Sequence, residues 1–128
     1  MPVRLFVLGV ALLSTAVAAA PADGNVHAII NIDVIPDDEA VGTQILSDYV
    51  REARHGSGVL SIHLIQQTSG SNHFILSEVF ANQAAYEQWI QSPAVRKFRD
   101  ALYPHLGSPW DERLGYELIP APMPQRRG

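Results

Sequence analysis

A phenol and an indole stand three residues apart at Tyr86 and Trp89, directly behind a strand-like stretch ending at Phe80, and a guanidinium follows at Arg99. Those side chains suit one kind of chemistry. A flat aromatic wall receives a planar ring, while a phenol O–H, an indole N–H and a guanidinium hold an oxygen and stabilise negative charge developing on it. Asn31 adds an amide among Ile29, Ile30 and Ile32, in a strand whose apolar character predicts burial. A buried amide without partners costs about 1–3 kcal/mol, so Asn31 is either a structural bridge or a handle for substrate. Trp110 is placed to close the mouth of such a pocket.

Each of these residues also has a plainer reading. Tyr86 and Trp89 sit beside Ala85, Ile90 and Phe98 and would serve equally as core. Arg99 follows Arg96 and Lys97, where a solvated cation is the ordinary outcome. Glu78 alternates with Leu76 and Phe80, so it is either a base raised by burial or one half of a salt bridge or subunit contact. Asp111, Glu112 and Arg113 read as a charged latch where the last strand begins. His27, His63 and His73 fall on different strands without the HxH or HxxxH spacing of a metal site, and no metal is expected.

The elements that must position these groups follow from periodicity. Residues 26–34 are β-branched and apolar and predict a first strand. Pro36 and the acids at 37–39 open a helix, which Val41, Ile45, Tyr49 and Val50 carry at helical spacing towards a stop at Gly56. Residues 59–67 alternate, with Leu60, Ile62 and Leu64 on one face. Thr68 to Ser71 supply a turn, and residues 73–80 a strand completing a hairpin. Asn82 caps a second helix and Ser92 with Pro93 caps its restart, whereas residues 114–119 predict a final strand. The order β-α-β-β-α-β predicts an α+β, ferredoxin-like fold with two helical regions on one face of a four-stranded antiparallel sheet. The bare face would be covered by a second copy of the chain.

At the amino terminus, Arg4, an apolar run of about ten residues and small residues up to Ala22 have the layout of a secretory signal. Residues 1–22 are therefore read as a signal peptide, 23–119 as the domain and 120–128 as a disordered tail, which places the protein in the periplasm or outside the cell. No stable membrane anchor is expected after cleavage, since that apolar run falls short of the about 20 residues of a span. A net charge of −4 argues against a nucleic-acid partner. The absence of cysteine excludes thiol catalysis, iron–sulfur clusters and disulfides.

In SEVFANQAAYEQWIQSP (77–93), the following helix and LGSPWDERL (106–114), the chain resembles the antibiotic biosynthesis monooxygenase family, including its quinol-oxidising branch. The resemblance spans about residues 26–118. It implies a small homodimer forming a dimeric α+β barrel, with a site between each monomer's helices and sheet. It also implies a cofactor-free oxygenase using O2 on a small aromatic substrate of the phenol or quinol type. Phe80 and Tyr86 match the spacing of an aromatic and a tyrosine in polyketide-oxidising members. Asn31 and Trp89 match positions of haem-degrading relatives, but Arg99 stands where those relatives carry histidine. Quinol-oxidising relatives place histidines where this chain has Trp89 and Ala94.

The expected function is a cofactor-independent monooxygenase. In that reading Asn31, Tyr86 and Arg99 are catalytic, and Phe80, Trp89 and Trp110 bind substrate. A non-catalytic binding or sensing module of the same fold is the alternative, with haem binding third.

Overall fold

The computed structural model of the protein describes residues 24–119. The expected signal peptide and carboxy-terminal tail lie outside the described residues. Four strands, β1 (Val26–Asp33), β2 (Val59–Gln66), β3 (His73–Phe80) and β4 (Asp111–Gly115), form one antiparallel sheet in the order β2-β3-β1-β4. Three α-helices cross one face: α1 (Glu39–Ala53), α2 (Gln83–Ile90) and α3 (Pro93–Leu102). This is the ferredoxin-like arrangement, with the second helical region split in two.

The split is written locally. The Asn82 side chain accepts from the Ala85 amide at 2.8 Å, and the Ser92 hydroxyl accepts from the Val95 amide at 3.4 Å. Two caps ten residues apart, the second followed by Pro93 at the first helical position, allow one helix to end and another to start in a new direction. That turn brings Trp89 from α2 and Phe98 from α3 towards the same part of α1.

Strand parity decides what faces the helices. Val26, Ala28, Ile30 and Ile32 of β1 and Phe74, Leu76, Glu78 and Phe80 of β3 are buried, and they pair across the sheet in that register. Apart from Glu78, these residues join Leu46, Tyr49 and Val50 of α1 and Val95, Phe98 and Leu102 of α3 in one core. Close approach of α1 is built in at Gly42, where a Cβ would lie 2.7 Å from a Val34 methyl. Gly58, with φ +77°, supplies the left-handed turn into β2 that other residues rarely adopt.

Two expectations about strands are corrected. Leu60 does not share a face with Ile62 and Leu64: a bulge between Val59 and Ser61 leaves it outside the ladder and 57% exposed, so Val59 takes the inward position. The last strand spans Asp111–Gly115 rather than 114–119. Its charged DERL sequence has little β character of its own, but it pairs with the central strand β1, with Glu112 opposite Ile30 and Leu114 opposite Ala28.

The other sheet face carries no helix. Ile29 and Ile65 are 37% and 46% exposed there, among His27, Asn31, His63, Ile75 and Val79. Among the described residues no helix is long and apolar enough to cross a membrane.

Candidate active site

Among the described residues Glu78 is the buried charged one, set against the apolar core. The alternation that turns Leu76 and Phe80 inward turns Glu78 inward too, leaving its side chain between sheet and helices with the residue 3% exposed. Loss of hydration pushes its carboxyl up to about 7. A hydrogen bond from Tyr49 and the charge of Arg99 oppose that rise, while the charge of Glu112 adds to it.

Tyr49 reaches Glu78 because α1 presents it one turn after Ile45, on the face packed against the sheet. Its hydroxyl donates to Glu78 Oε1 at 3.1 Å and accepts from the Trp89 indole N–H at 2.9 Å. Phe98 stacks on the Tyr49 ring at 3.8 Å between centroids and 12° between planes. Burial, followed by the Glu78 charge, lifts the Tyr49 phenol above its ordinary range, so it remains a proton donor in this chain of bonds.

A second carboxylate gathers the rest. Glu112 of β4 accepts from the Tyr86 hydroxyl at 2.9 Å, from the Trp110 indole N–H at 3.2 Å and from Arg99 Nη2 at 3.5 Å. Arg99 also lies over the Trp110 ring, 4.8 Å from its centroid. Burial and then the bond to Glu112 raise the Tyr86 phenol. The charged sequence at 111–113 is thus a latch in part, with Glu112 turned inward beneath α2 and α3.

Side chains of both clusters line a partly open void of about 10 Å³, which has Ile30, Ile90, Val95 and Phe98 on its apolar side. Two larger hollows adjoin it. A groove of about 160 Å³ between α1 and α3 shares Tyr49 and Phe98 with the void. A hollow of about 180 Å³, bordered by Leu102, Tyr103 and Leu106, shares Arg99 and Trp110 with it. Both are near the roughly 150 Å³ in which a benzene ring lodges.

The structure brings together Tyr86, Trp89, Arg99 and Trp110 from the residues singled out in sequence. Phe80 lies behind them, fully buried and edge-on to Tyr86 at 5.3 Å between centroids, where it supports the site without lining the void. Asn31 is separated from them by the sheet. It faces the uncovered side and donates to Asp111 Oδ2 at 3.4 Å. The isoleucine neighbours that suggested burial belong to both faces of β1, and Asn31 has the parity of exposed Ile29 rather than buried Ile30.

Sequence spacing alone does not mark Tyr49 and Glu112 as site residues, and it leaves Glu78 open between a base and a salt bridge or subunit contact. Alternation already aimed Glu78 inward, and helical spacing put Tyr49 on the core face, but nothing local connects positions 49, 78 and 112. The histidines stand apart: His27 pairs with Glu117 at 2.9 Å, His73 lies 3.8 Å from Asp33, and His63 is exposed. Among the described residues no group of three or more His, Asp or Glu could hold a metal ion.

Comparison with known proteins gives two kinds of match. The model of the family described as antibiotic biosynthesis monooxygenase matches residues 25–101. Solved structures agree in fold at low identity. The chain superposes on Rv0793 of Mycobacterium tuberculosis with a TM-score of 0.72 at 20% identity, covering 77% of this chain and 99% of that one. For PA3566 of Pseudomonas aeruginosa the values are 0.70 and 20%, with 78% and 100% covered. A protein of Nitrosomonas europaea, named provisionally as an antibiotic biosynthesis monooxygenase, gives 0.72 at 13%, with 78% and 96% covered. These likenesses establish the fold alone. No protein of curated function matches the sequence.

Proposed function

Since the chain belongs to the antibiotic biosynthesis monooxygenase family, we propose that it is a monooxygenase that oxidises a small phenol or quinol with O2 and needs no cofactor. The observation that carries this reading is Glu78: a carboxyl raised to about 7 by burial, bonded to Tyr49 and bordering a void between aromatic walls. Such a group is poised to take a proton near neutral pH. The size of the hollow beside Arg99 and Trp110 suits a single ring.

In this mechanism Glu78 removes the phenolic proton. The phenolate passes one electron to O2, and the two radicals join to form a C–O bond. The ring hydroperoxide then loses water and leaves a quinone. One oxygen atom enters the ring, the other leaves as water, and the substrate supplies every electron, so no external reductant enters. Arg99 and Tyr86 stabilise the oxyanion, Trp89 and Trp110 wall the ring, and Phe80 backs Tyr86. Glu112 holds Arg99, Tyr86 and Trp110 in place. Because the void itself is small, admission of a ring takes a swing of Arg99 and Trp110.

The apolar residues on the open sheet face support a homodimer packed face to face, and the signal-like layout of residues 1–22 supports a place in the periplasm or outside the cell. Asn31 would then meet the partner subunit rather than the substrate. The test is oxygen uptake by metal-free protein over a panel of hydroquinones, menadiol and hydroxyanthrones, with 18O2 to trace the inserted atom. Turnover that incorporates one labelled atom and is lost in Glu78→Gln is expected. Rates equal to buffer across the panel, with ring ligands that raise the Tm, overturn the enzyme reading in favour of a binding module.

A further inference from the structure

The charges that border the site are not matched alike from place to place. The groove between α1 and α3 carries Lys97 as well as Glu52, and its Asp48 pairs with Arg51 at 3.0 Å. The void is bordered by two carboxyls, Glu78 and Glu112, and by one cation, Arg99. Among the described residues the one ion pair at the void joins Arg99 to Glu112 at 3.5 Å, and the flat face of that guanidinium is taken up by Trp110. Glu78 has a hydrogen bond from the neutral Tyr49 and lies close enough to Glu112 to feel its charge. A further negative charge brought to the void would lose its water beside two carboxyls whose one cation is already engaged.

We propose that Glu78 and Glu112 select the substrate by charge: the site takes phenols and quinols that are neutral or carry an amine, and turns away rings that bear a carboxylate or sulfonate. This rests on the ring-binding part of the proposed function and deepens it by naming the class of ring. Glu78 is the adjustable member of the pair. The titratable and charged groups that act on it are Tyr49 from α1, Tyr86 from α2, Arg99 from α3 and Glu112 from β4. Both phenols are lifted above their ordinary range and stay protonated. Below about pH 7 Glu78 is protonated and Arg99 balances Glu112, whereas above it Glu78 adds a negative charge that nothing balances. Refusal of anionic rings is therefore strongest above pH 7 and weakens as pH falls through it.

The test measures binding rather than turnover. Under argon, 4-hydroxybenzyl alcohol, 4-hydroxybenzylamine and 4-hydroxybenzoate, which differ in charge and little in size, are titrated into the protein at pH 6 and pH 8. Quenching of tryptophan emission reports contact at the site, because the chain's two tryptophans, Trp89 and Trp110, both border the void. At pH 8 the alcohol and the amine are expected to bind at least about 10-fold more tightly than the carboxylate. At pH 6 that gap narrows by about 3-fold or more, since Glu78 has taken up its proton. Glu78→Gln should show the narrow gap at both pH values, and the pH comparison in the parent protein makes the same measurement without a variant. A carboxylate that binds at pH 8 as tightly as the alcohol overturns the selection and makes an anion receptor of Arg99, whose Nε meets no acceptor among the described residues. A gap of equal width at both pH values, or one undiminished in Glu78→Gln, overturns the part given to Glu78. Selective binding with oxygen uptake no faster than buffer keeps the selection and sinks the oxygenase reading. Failure of all three rings to quench either tryptophan removes the ring site, and both readings with it.

Discussion

The Trp89 indole N–H donates to the Tyr49 hydroxyl at 2.9 Å, and that hydroxyl donates onward to Glu78 at 3.1 Å. One tyrosine oxygen thus ties α2 to α1 and α1 to β3. Tyr49→Phe leaves the indole and the carboxyl each without its partner at a buried position, a loss of about 1–3 kcal/mol. Because the Tyr49 bond holds the Glu78 carboxyl down, its removal raises that carboxyl further above 7. Chemical denaturation measures the first effect. An upward displacement of the acid limb of the rate profile measures the second.

Glu78 also makes stability depend on pH. Its carboxyl lies at about 7 in the folded protein against 4.5 for the ordinary group, so folding favours the protonated form. That contribution is complete below about pH 4.5 and is lost as pH rises through 7, and each pH unit between them costs at most about 1.4 kcal/mol. Glu78→Gln removes this slope. Unfolding curves at pH 5 and pH 8 should show a gap between the two proteins that shifts towards the variant at the higher pH.

Glu112 receives three donors, from Tyr86, Trp110 and Arg99, at a side chain 15% exposed. Glu112→Ala is expected to cost about 1.5–3 kcal/mol and to free Trp110. A drop in Tm accompanied by a red-shifted, more quenchable tryptophan emission is the signature; an unchanged emission contradicts the latch.

The uncovered sheet face should be where two copies meet. Ile65→Lys places a charge opposite Ile75, on the face that also carries Ile29 and Val79. Sedimentation should find the parent protein dimeric and the variant monomeric with native circular dichroism. A monomeric parent removes the dimer.

Asn31 lies across the sheet from Glu78. Asn31→Ala should leave kcat unchanged within error in the oxygen-uptake assay. A collapse of turnover without loss of dimer would return Asn31 to the catalytic set.

The sequence alone determined the element order, the split of the second helix at Ser92 and Pro93, and the inward aim of Glu78, because these follow from rules acting over a few residues: period, capping and strand parity. The same rules placed Tyr86 and Trp89 on one helix, with Arg99 on the next. Tertiary structure decided what those rules do not reach. The bulge at Leu60 and the pairing of DERL with β1 depend on a neighbouring strand rather than on local propensity. The assembly of Tyr49, Glu78 and Glu112 depends on α1, β3 and β4 meeting around one core, and the charge of Glu112, 34 residues away in sequence, reaches the Glu78 carboxyl only once that packing has buried Glu78. Asn31 shows the limit most plainly: its neighbours gave it an apolar setting, and only the register of β1 fixed which face it would serve.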